Sequence, residues 1–489
     1  MSIAHIYRHA CEQPSKTAVI YNGTAISYAA FANAIDRAMR SFQAEPAIPG
    51  TTVVVVIDNL LDCRVAVLAL QSLGINTICV KSASILRELR LRDFACIVTT
   101  EVEMPDLQGA ADPWPLTRVI AIGKPGYEGE ELTQPNLLAQ AGNIGGHILY
   151  TSGTTGNYKK IFWSGELLEQ RLAERIKSSS MFSSEAICHF VNFGLWTAVG
   201  YRVPLAIWQA GGTVIVDQRS EWHRHFLEHP MTLAVLIPDM INQLLKSMDS
   251  QPPVSSAMDF VLMATGGFIS RGLAEQIISR ITVNLENSYG STETNLQLLR
   301  STVTQLDDLH WLTPTRKRLV EIVDAEGKPC PIDTEGQLRV RLSELDCSSY
   351  MDDPEASQKV FRDGYFYPGD MAVRRADGCI RILGRSADVV NFRGQKLAVA
   401  PIEHNIQNLL GVDAVCLFSG VSDAGEAEVV IAIESEEPPE RSALMNLGHE
   451  FAQFDQVRFA LLQRFPRTRT GTSKIDRNAL RKLIFPDKR

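Results

Sequence analysis

The stretch "ILYTSGTTGNYKKIFW", Ile148–Trp163, places an apolar run directly before small polar and basic residues. The apolar run is typical of a buried strand, and the segment after it is typical of a loop. Gly153 and Gly156 free the loop backbone, so its N–H groups can approach an anion closely. The further candidate groups are the hydroxyls of Thr151, Ser152, Thr154 and Thr155 and the ammonium of Lys159. Together these groups are suited to holding a polyphosphate.

Two interpretations of this loop are open on composition alone. A Walker A loop is excluded, because the spacing G-x-x-x-x-G-K-[ST] is absent. A surface turn rich in serine, threonine and glycine would have the same composition as a phosphate loop. The choice between turn and phosphate loop therefore depends on the rest of the chain.

The composition indicates a soluble globular protein. The 489 residues are 45% hydrophobic and 21% charged, which suffices for a large core and more than one domain. A net charge of -8 gives no general attraction to nucleic acid or to an anionic membrane. The nine cysteines show no CxxC pair, which argues against a zinc site or a disulfide framework. With no long apolar segment, we expect a cytoplasmic protein without stable membrane insertion.

Strand patterns alternate with helical patterns along the N-terminal part. "TVVVVID" (52–58), "NTICV" (76–80) and "CIVTT" (96–100) are strand candidates, separated by helical patterns at 60–74 and 84–95. The same rhythm returns in "LAVLIP" (233–238), "FVLMATGG" (260–267) and "TVNLENSYG" (282–290). An α/β fold with parallel-rich sheets covered by helices is predicted here.

The pattern changes after about residue 318. "RLVEIVDAEGKPCPIDTEGQLRVRL" reads as strands joined by turns without a helix between them, which favours a small antiparallel β region. The last hundred residues read as a small α+β unit. We therefore predict a large N-terminal domain, residues 1–384, and a small mobile C-terminal domain, residues 385–489.

Further motifs resemble those of the adenylate-forming superfamily, which includes acyl-CoA synthetases, nonribosomal adenylation domains and firefly-type luciferases. The loop "YTSGTTGNYKK" resembles the phosphate signature of that family. The other matches, in the family's order, are "ATGGF" (264–268), "NSYGSTET" (287–294), "DGYFYPGD" (363–370), "GRSADVVNFRGQKLAVAPIE" (384–403) and "GTSKIDRNAL" (471–480). Because the ordered set extends over most of the chain, the phosphate-loop interpretation is favoured over a surface turn.

The resemblance implies a role for each matched residue. Such enzymes join a carboxylate to the α-phosphate of ATP, release pyrophosphate, and pass the acyl group of the adenylate to an acceptor. The implied catalytic residues are Lys474, bridging carboxylate and α-phosphate, Thr292, donating to the α-phosphate, and Glu293, binding Mg²⁺. The implied nucleotide-binding residues are Thr151, Ser152, Gly153, Thr154, Thr155, Gly156 and Lys159 at the β- and γ-phosphates, Gly266, Gly267 and Tyr289 beside adenine, and Asp370 with Arg385 at the ribose. Standing alone, Lys474 would instead be read as an exposed lysine near a C-terminal helix.

Family members rotate the C-terminal domain between the two half-reactions, and the segment "GRSADVV" resembles the pivot. Gly394 would then let a pantetheine arm pass, although "FRGQ" is equally typical of a hairpin turn. Five positions depart from the family pattern. They are Tyr158 for proline, Lys160 for glycine, Pro368 for threonine, Ala387 for aspartate or lysine, and Ser473 for glycine.

The substrate is predicted to be a small carboxylic acid. Relatives that activate α-amino acids place an aspartate before the "AGG" turn, but residues 186–212 contain no acidic residue. An aryl, cyclic or medium-length acid is favoured, because apolar and weakly polar side chains are available to line a pocket. The candidate pocket residues are His189, Asn192, Phe193, Trp196 and Phe268. Core packing is an equally good interpretation of the aromatic ones.

The acceptor stays open between coenzyme A, a separate carrier protein, and an amine such as an amino acid. Coenzyme A is preferred on family frequency. The expected cofactors are ATP and Mg²⁺, with coenzyme A as co-substrate. Two other functions remain possible, a non-catalytic nucleotide-binding protein with the same fold and a luciferase-like oxidation. Retention of Lys159, Glu293, Asp370, Arg385 and Lys474 argues against the first of these.

Overall fold

A computed structural model describes the chain except for residues 1, 44–48, 90, 92, 105–117, 130, 133–143, 153–157, 191–192, 249–258, 296, 316–317, 387, 393–394, 422–426, 438, 441, 445–446, 448–456, 469–473 and 486–489. The described helices are α1 (Ser2–Glu12), α2 (Tyr28–Gln43), α3 (Leu60–Ser72), α4 (Ala83–Glu88), α5 (Gly165–Ser178), α6 (Ala198–Ala210), α7 (Trp222–His225), α8 (Pro238–Met248), α9 (Arg271–Arg280), α10 (Pro354–Val360), α11 (Val399–Leu410) and α12 (Arg477–Ile484). None of them has the length and apolar character required to span a lipid bilayer.

In the described part of the chain the strands form five sheets. Their bounds in the first 300 residues are β1 (Thr17–Tyr21), β2 (Thr24–Ser27), β3 (Thr52–Val55), β4 (Asn76–Cys79), β5 (Cys96–Thr100), β6 (Arg118–Ile122), β7 (His147–Ser152), β8 (Tyr158–Trp163), β9 (Ile187–Phe190), β10 (Thr213–Val216), β11 (Leu233–Leu236), β12 (Val261–Thr265), β13 (Leu285–Tyr289) and β14 (Leu299–Thr302). The later strands are β15 (Thr313–Pro314), β16 (Val320–Val323), β17 (Gly336–Arg341), β18 (Phe361–Arg362), β19 (Tyr365–Phe366), β20 (Asp370–Arg374), β21 (Ile380–Arg385), β22 (Val389–Phe392), β23 (Gln395–Ala398), β24 (Ala414–Val421), β25 (Ala427–Glu434) and β26 (Val457–Leu462).

Two parallel-rich sheets make up most of the N-terminal part. The first has nine strands in the order β15-β14-β13-β12-β11-β9-β10-β1-β2, and its strands from β13 to β1 are parallel. The second has the order β6-β5-β3-β4-β7-β8, parallel except for the β7–β8 pair. Helices connect parallel strands such as β3 and β4 or β11 and β12, as is usual for parallel crossovers. The predicted α/β class with parallel-rich sheets is confirmed.

Helix α3 is buried along almost its whole length. Its sequence "LLDCRVAVLALQS" is apolar on every face, and all but its last residue are buried. A helix apolar all round belongs in the interior of a large protein. Its N-terminus is fixed by Asn59, whose side chain accepts hydrogen bonds of 3.0 Å from the N–H groups of Leu61 and Asp62.

An antiparallel sheet follows, as the sequence predicts. Its strand order is β18-β19-β17-β20-β21, with β16 paired to β17, and all described pairs are antiparallel. One predicted helix is shorter than expected. The pattern at 84–95 predicted a continuous helix, but α4 ends at Glu88, where the N–H of Leu89 bonds the carbonyls of Ile85 and Arg87.

The C-terminal part contains the hairpin β22–β23 and the sheet β24-β25-β26. Helices α11 and α12 pack on this sheet through two apolar clusters whose members lie between residues 399 and 485. This part contacts the N-terminal part directly. The contacts are Lys246 with Asp413 and Glu436 (3.2 and 3.0 Å), Arg467 with Asp239 (3.7 Å), and the N–H of Arg271 with Asn408 (3.0 Å). The domain boundary at residue 384 stays a prediction.

Candidate functional site

The predicted phosphate loop connects the two strands of a hairpin. In the antiparallel pair β7–β8, Thr151 lies opposite Lys159 and Ser152 opposite Tyr158. Residues 153–157, which include the predicted Gly153, Thr154, Thr155 and Gly156, lie outside the described part. The ammonium of Lys159 lies 4.8 Å from the ring centroid of Tyr350, within range of a cation–π interaction. The hairpin thus presents Lys159 toward a tyrosine that the sequence did not identify.

Glu293 lies in the turn after β13, beside Thr292, and is buried with 8% of its surface exposed. One carboxylate oxygen, Oε1, accepts a hydrogen bond of 2.7 Å from the hydroxyl of Tyr350. The other accepts from the hydroxyl of Ser291. A buried carboxylate needs such donors, because an unpartnered charge inside a protein is strongly unfavourable.

Asp370 begins β20 and faces Arg385 in the neighbouring strand β21. Its carboxylate pairs with the guanidinium of Arg385 at 3.1 Å and accepts a hydrogen bond from the hydroxyl of Tyr289. Burial raises the pKa of Asp370, while Arg385 and Tyr289 oppose the shift. Burial also raises the pKa of Tyr289 well above its usual value, so its hydroxyl remains a neutral donor.

Lys474 comes from the C-terminal part, and the charges of these groups act on its ammonium. Burial of the ammonium group lowers its pKa, and the positive charge of Arg385 lowers it further. The carboxylates of Asp370 and Glu293 oppose that change. Although the residue as a whole is exposed, its charged end is surrounded by enough protein to lose part of its hydration. The predicted catalytic lysine therefore shares one electrostatic environment with Asp370, Arg385 and Glu293.

Gly266 and Gly267 follow β12, at the carboxyl end of the first sheet. Gly266 has φ +77°, a left-handed conformation that favours glycine. A Cβ added at Gly267 would lie 3.1 Å from the ring of Pro238, so a side chain there would crowd the start of α8. The turn needs both glycines for conformation and close packing.

The described candidates for the substrate pocket contact different partners, and the pocket itself stays a prediction. His189 is buried in β9 with its ring 4.5 Å from that of Phe226, and burial lowers its pKa to about 3. Phe193 packs instead on Phe190, at 5.1 Å between ring centroids. Because neighbouring residues of a strand point to opposite faces, His189 and Phe190 lie on opposite sides of the sheet. Trp196 is buried, and Asn192 lies outside the described residues.

Phe268 occupies a third environment. Its ring lies nearly parallel to those of His310, at 4.5 Å, and His404, at 3.3 Å. His404 belongs to α11 of the C-terminal part, so this stack lies between the two parts of the chain. Sequence reasoning missed both histidines, because neither stands in a motif that marks it.

Three of the five departures from the family pattern lie in the described part. Tyr158 packs edge-on against Tyr150 at 5.6 Å, and Lys160 forms a 3.1 Å ion pair with Asp352. The carbonyl of Pro368 accepts a hydrogen bond from Arg385. Ala387 and Ser473 lie outside the described residues, as does Gly394, so the roles predicted for them stay predictions.

Comparison with known proteins gives the family. A model of the AMP-binding enzyme family matches residues 6–345, and the chain belongs to that family. It is 24% identical to 4-coumarate–CoA ligase-like 9 of Oryza sativa subsp. japonica, over 94% of this chain and 88% of that protein.

Two solved structures share the fold. One is the O-succinylbenzoate coenzyme A synthetase of Bacillus subtilis in complex with ATP and magnesium ion (TM-score 0.76, 19% identity, 98% of this chain and 99% of that one). The other is an amide bond synthetase of Marinactinospora thermotolerans (TM-score 0.78, 17% identity, 99% of this chain and 100% of that one). The adenylate-forming superfamily is thereby confirmed, while the choice between thioester and amide products is not decided.

The residues around Glu293 fit a magnesium ion held together with a nucleotide. In the described ranges, no group of three or more histidine, cysteine or acidic side chains could hold a metal alone. Magnesium in nucleotide sites is commonly bound by one or two carboxylates plus phosphates and water, so a single buried carboxylate is a suitable donor set. Both oxygens of Glu293 keep further lone pairs beside their present hydrogen bonds.

Proposed function

We propose that the chain is an ATP-dependent carboxylic acid ligase that forms an acyl-adenylate and then transfers the acyl group to coenzyme A. The observation that carries the proposal is the buried Asp370, paired with Arg385 at 3.1 Å, whose charges together with that of Glu293 act on the ammonium of Lys474. A positive lysine that is influenced by these groups is suited to meet an incoming triphosphate and carboxylate, which are both anionic.

In the first half-reaction, a carboxylate oxygen of the acid attacks the α-phosphorus of ATP, and pyrophosphate leaves. Lys474 neutralises the two anions as they approach, because a positive group near developing charge lowers the barrier. Lys159 and the loop before it hold the β- and γ-phosphates. Asp370 accepts hydrogen bonds from the ribose hydroxyls, and Arg385 orients its carboxylate. Bound magnesium, held through Glu293, would neutralise phosphate charge.

In the second half-reaction, the thiol sulfur of coenzyme A attacks the acyl carbonyl carbon. The bond to AMP breaks, AMP leaves, and the thiol proton passes to solvent. A second candidate is attack by an amine, which yields an amide. The amide bond synthetase that shares the fold is the reason to keep this candidate.

The test is carboxylate-dependent release of pyrophosphate, with ATP and Mg²⁺ and a panel of aryl, cyclic and fatty acids. Lys474→Ala should reduce this release by about 10²- to 10³-fold, the usual effect of removing one transition-state charge donor. Lys482→Ala removes an exposed lysine from α12 and is the matched control.

With a responsive acid in hand, coenzyme A and amines can be compared as acceptors by product mass. Release that is equal in wild type and Lys474→Ala would overturn the role of Lys474. No release with any acid, despite ATP binding, would favour the non-catalytic nucleotide-binding protein.

A further inference from the structure

Tyr350 lies where the predicted metal ligand and the predicted phosphate lysine meet. It is 6% exposed, and its hydroxyl donates a 2.7 Å hydrogen bond to Oε1 of Glu293. The ammonium of Lys159 lies 4.8 Å from the centre of its ring. One side chain thus contacts both groups, through its polar end and its aromatic face.

The Tyr350 side chain is fixed in this position. The N–H of Tyr350 donates to the hydroxyl of Ser357 at 2.9 Å, and Ser357 in turn donates to the carbonyl of Asp353 at 2.7 Å. The ring of Phe361 meets the Tyr350 ring edge-on at 5.3 Å. Since backbone and ring are both restrained, the hydroxyl has little freedom to leave Glu293.

Backbone hydrogen bonds also join the segment around Tyr350 to Lys160 and to Glu293. The N–H of Met351 donates to the carbonyl of Lys160 at 2.8 Å, and the ammonium of Lys160 pairs with Asp352. The N–H of Cys347 donates to the carbonyl of Glu293 at 2.8 Å. The segment 347–352 therefore connects the end of the phosphate hairpin to the turn that bears Glu293.

We propose that Tyr350 is a positioning residue for adenylation, which aligns the Glu293 carboxylate for the metal and holds Lys159 at the phosphates. This inference rests on the proposed function for the roles of Glu293 and Lys159. The hydroxyl fixes the rotamer of the carboxylate, and the ring face fixes the ammonium. Residues that hydrogen-bond a metal ligand without contacting the metal are commonly almost as important for metal binding as the ligand itself.

The two contacts can be removed separately. Tyr350→Phe keeps the ring beneath Lys159 and deletes only the hydroxyl on Glu293, whereas Tyr350→Leu deletes both. Tyr365→Phe is the matched control, because Tyr365 lies in β19 with its ring against Arg339, outside the site. Binding of Mn²⁺ in the presence of ATP, followed by electron paramagnetic resonance, reports on the metal without requiring turnover.

For Tyr350→Phe we expect Mn²⁺ affinity to fall about tenfold, with the KM for ATP at saturating Mg²⁺ unchanged. Tyr350→Leu should show the same loss and also raise the KM for ATP about two- to fivefold, because Lys159 loses its aromatic partner. In a Glu293→Gln background, Tyr350→Phe should have no further effect on Mn²⁺ affinity, since the shared contact is already altered.

Wild-type Mn²⁺ affinity in Tyr350→Phe, or an equal loss in Tyr365→Phe, would overturn the positioning role. The metal titration keeps this result separate from that of the proposed function. Failure of the wild type to release pyrophosphate with any acid would count against the ligase activity, while the Mn²⁺ comparison would still decide on Tyr350.

Discussion

Asp346 and Arg318 form a buried ion pair close to the turn that bears Glu293. Their side chains are 0% and 6% exposed, and the guanidinium lies 2.8 Å from the carboxylate. Asp346 also accepts a 2.9 Å hydrogen bond from the N–H of Asn295, two residues beyond Glu293. Three other buried arginines support the same region by donating to backbone carbonyls. They are Arg171 to Leu345, Arg175 to Asn295, and Arg202 to Thr294 and Asn295.

Removing Arg318 would leave Asp346 buried without its charge partner. We expect Arg318→Ala to lower the free energy of unfolding by about 3–5 kcal/mol, measured by urea denaturation. Lys359→Ala is the control, because its ion pair with Glu355 is fully exposed and solvent screens it. Equal stability of the two variants would show that Asp346 does not depend on Arg318.

At the scale of elements, the stack of His310, Phe268 and His404 joins α11 to the turn after β12. Burial lowers the pKa of His310 to about 4 and that of His404 to about 3, and the positive charge of Arg381 contributes to both shifts. The stacked arrangement therefore favours neutral imidazoles. Separation of the two parts would return the pKa of His404 toward its usual value of about 6.5.

The pH dependence of the stack follows from the lowered pKa values of its two histidines. A histidine whose pKa is lowered by stacking stabilises the stacked state fully above about pH 6.5, and this contribution is lost as the pH falls toward about 4. We expect acidification from about pH 7 to about pH 5 to lower the protection of the α11 amides, measured as the hydrogen-exchange rate relative to the intrinsic rate at each pH. His404→Phe keeps an aromatic ring but cannot titrate, so it should reduce this loss of protection, and adding His310→Phe should abolish it. An unchanged pH response in that variant would exclude His404 as its source.

Local patterns predicted most elements but not the contacts between them. The alternation of β-branched strands with a pattern interpreted as an amphipathic helix at 60–74 correctly predicted that β3, α3 and β4 exist, because both patterns are set by near neighbours in sequence, although α3 is buried on all sides. The hydrogen bond between Tyr350 and Glu293 joins positions 57 residues apart. Its tyrosine stands in "CSSYMDD", where nothing local marks it. The predicted pocket residues His189 and Phe268 likewise contact rings that are distant in sequence, Phe226 and His404, and their place in one pocket stays a prediction.

At the scale of the whole molecule, charged contacts help to hold the two parts in the observed arrangement. Lys246 of α8 pairs with Asp413 and Glu436 of the C-terminal part, at 3.2 and 3.0 Å. The same arrangement brings Lys474 to Asp370 and Arg385. Breaking the ion pairs of Lys246 should therefore slow adenylation, the half-reaction that needs Lys474.

Lys246→Glu places three carboxylates together and should disfavour this arrangement by repulsion. We expect pyrophosphate release to slow by about two- to fivefold, the effect of losing a partly exposed ion pair. Acyl transfer from a supplied adenylate should be unaffected. Lys177→Glu, an exposed charge reversal in α5, controls for net charge. Equal slowing of both half-reactions would contradict a selective role for the contact.

The order of strands in the first sheet has a consequence for synthesis on the ribosome. Strand β1 pairs with β10 through Val19 and Val214, so one of its two neighbours is made nearly two hundred residues later. Until then only the hairpin partner β2 is present, and the backbone N–H and C=O groups on the other edge of β1 stay unpaired. Nascent chains that stop before residue 213 therefore expose a strand that can pair with other chains. Such fragments should depend on chaperones more than the completed chain does.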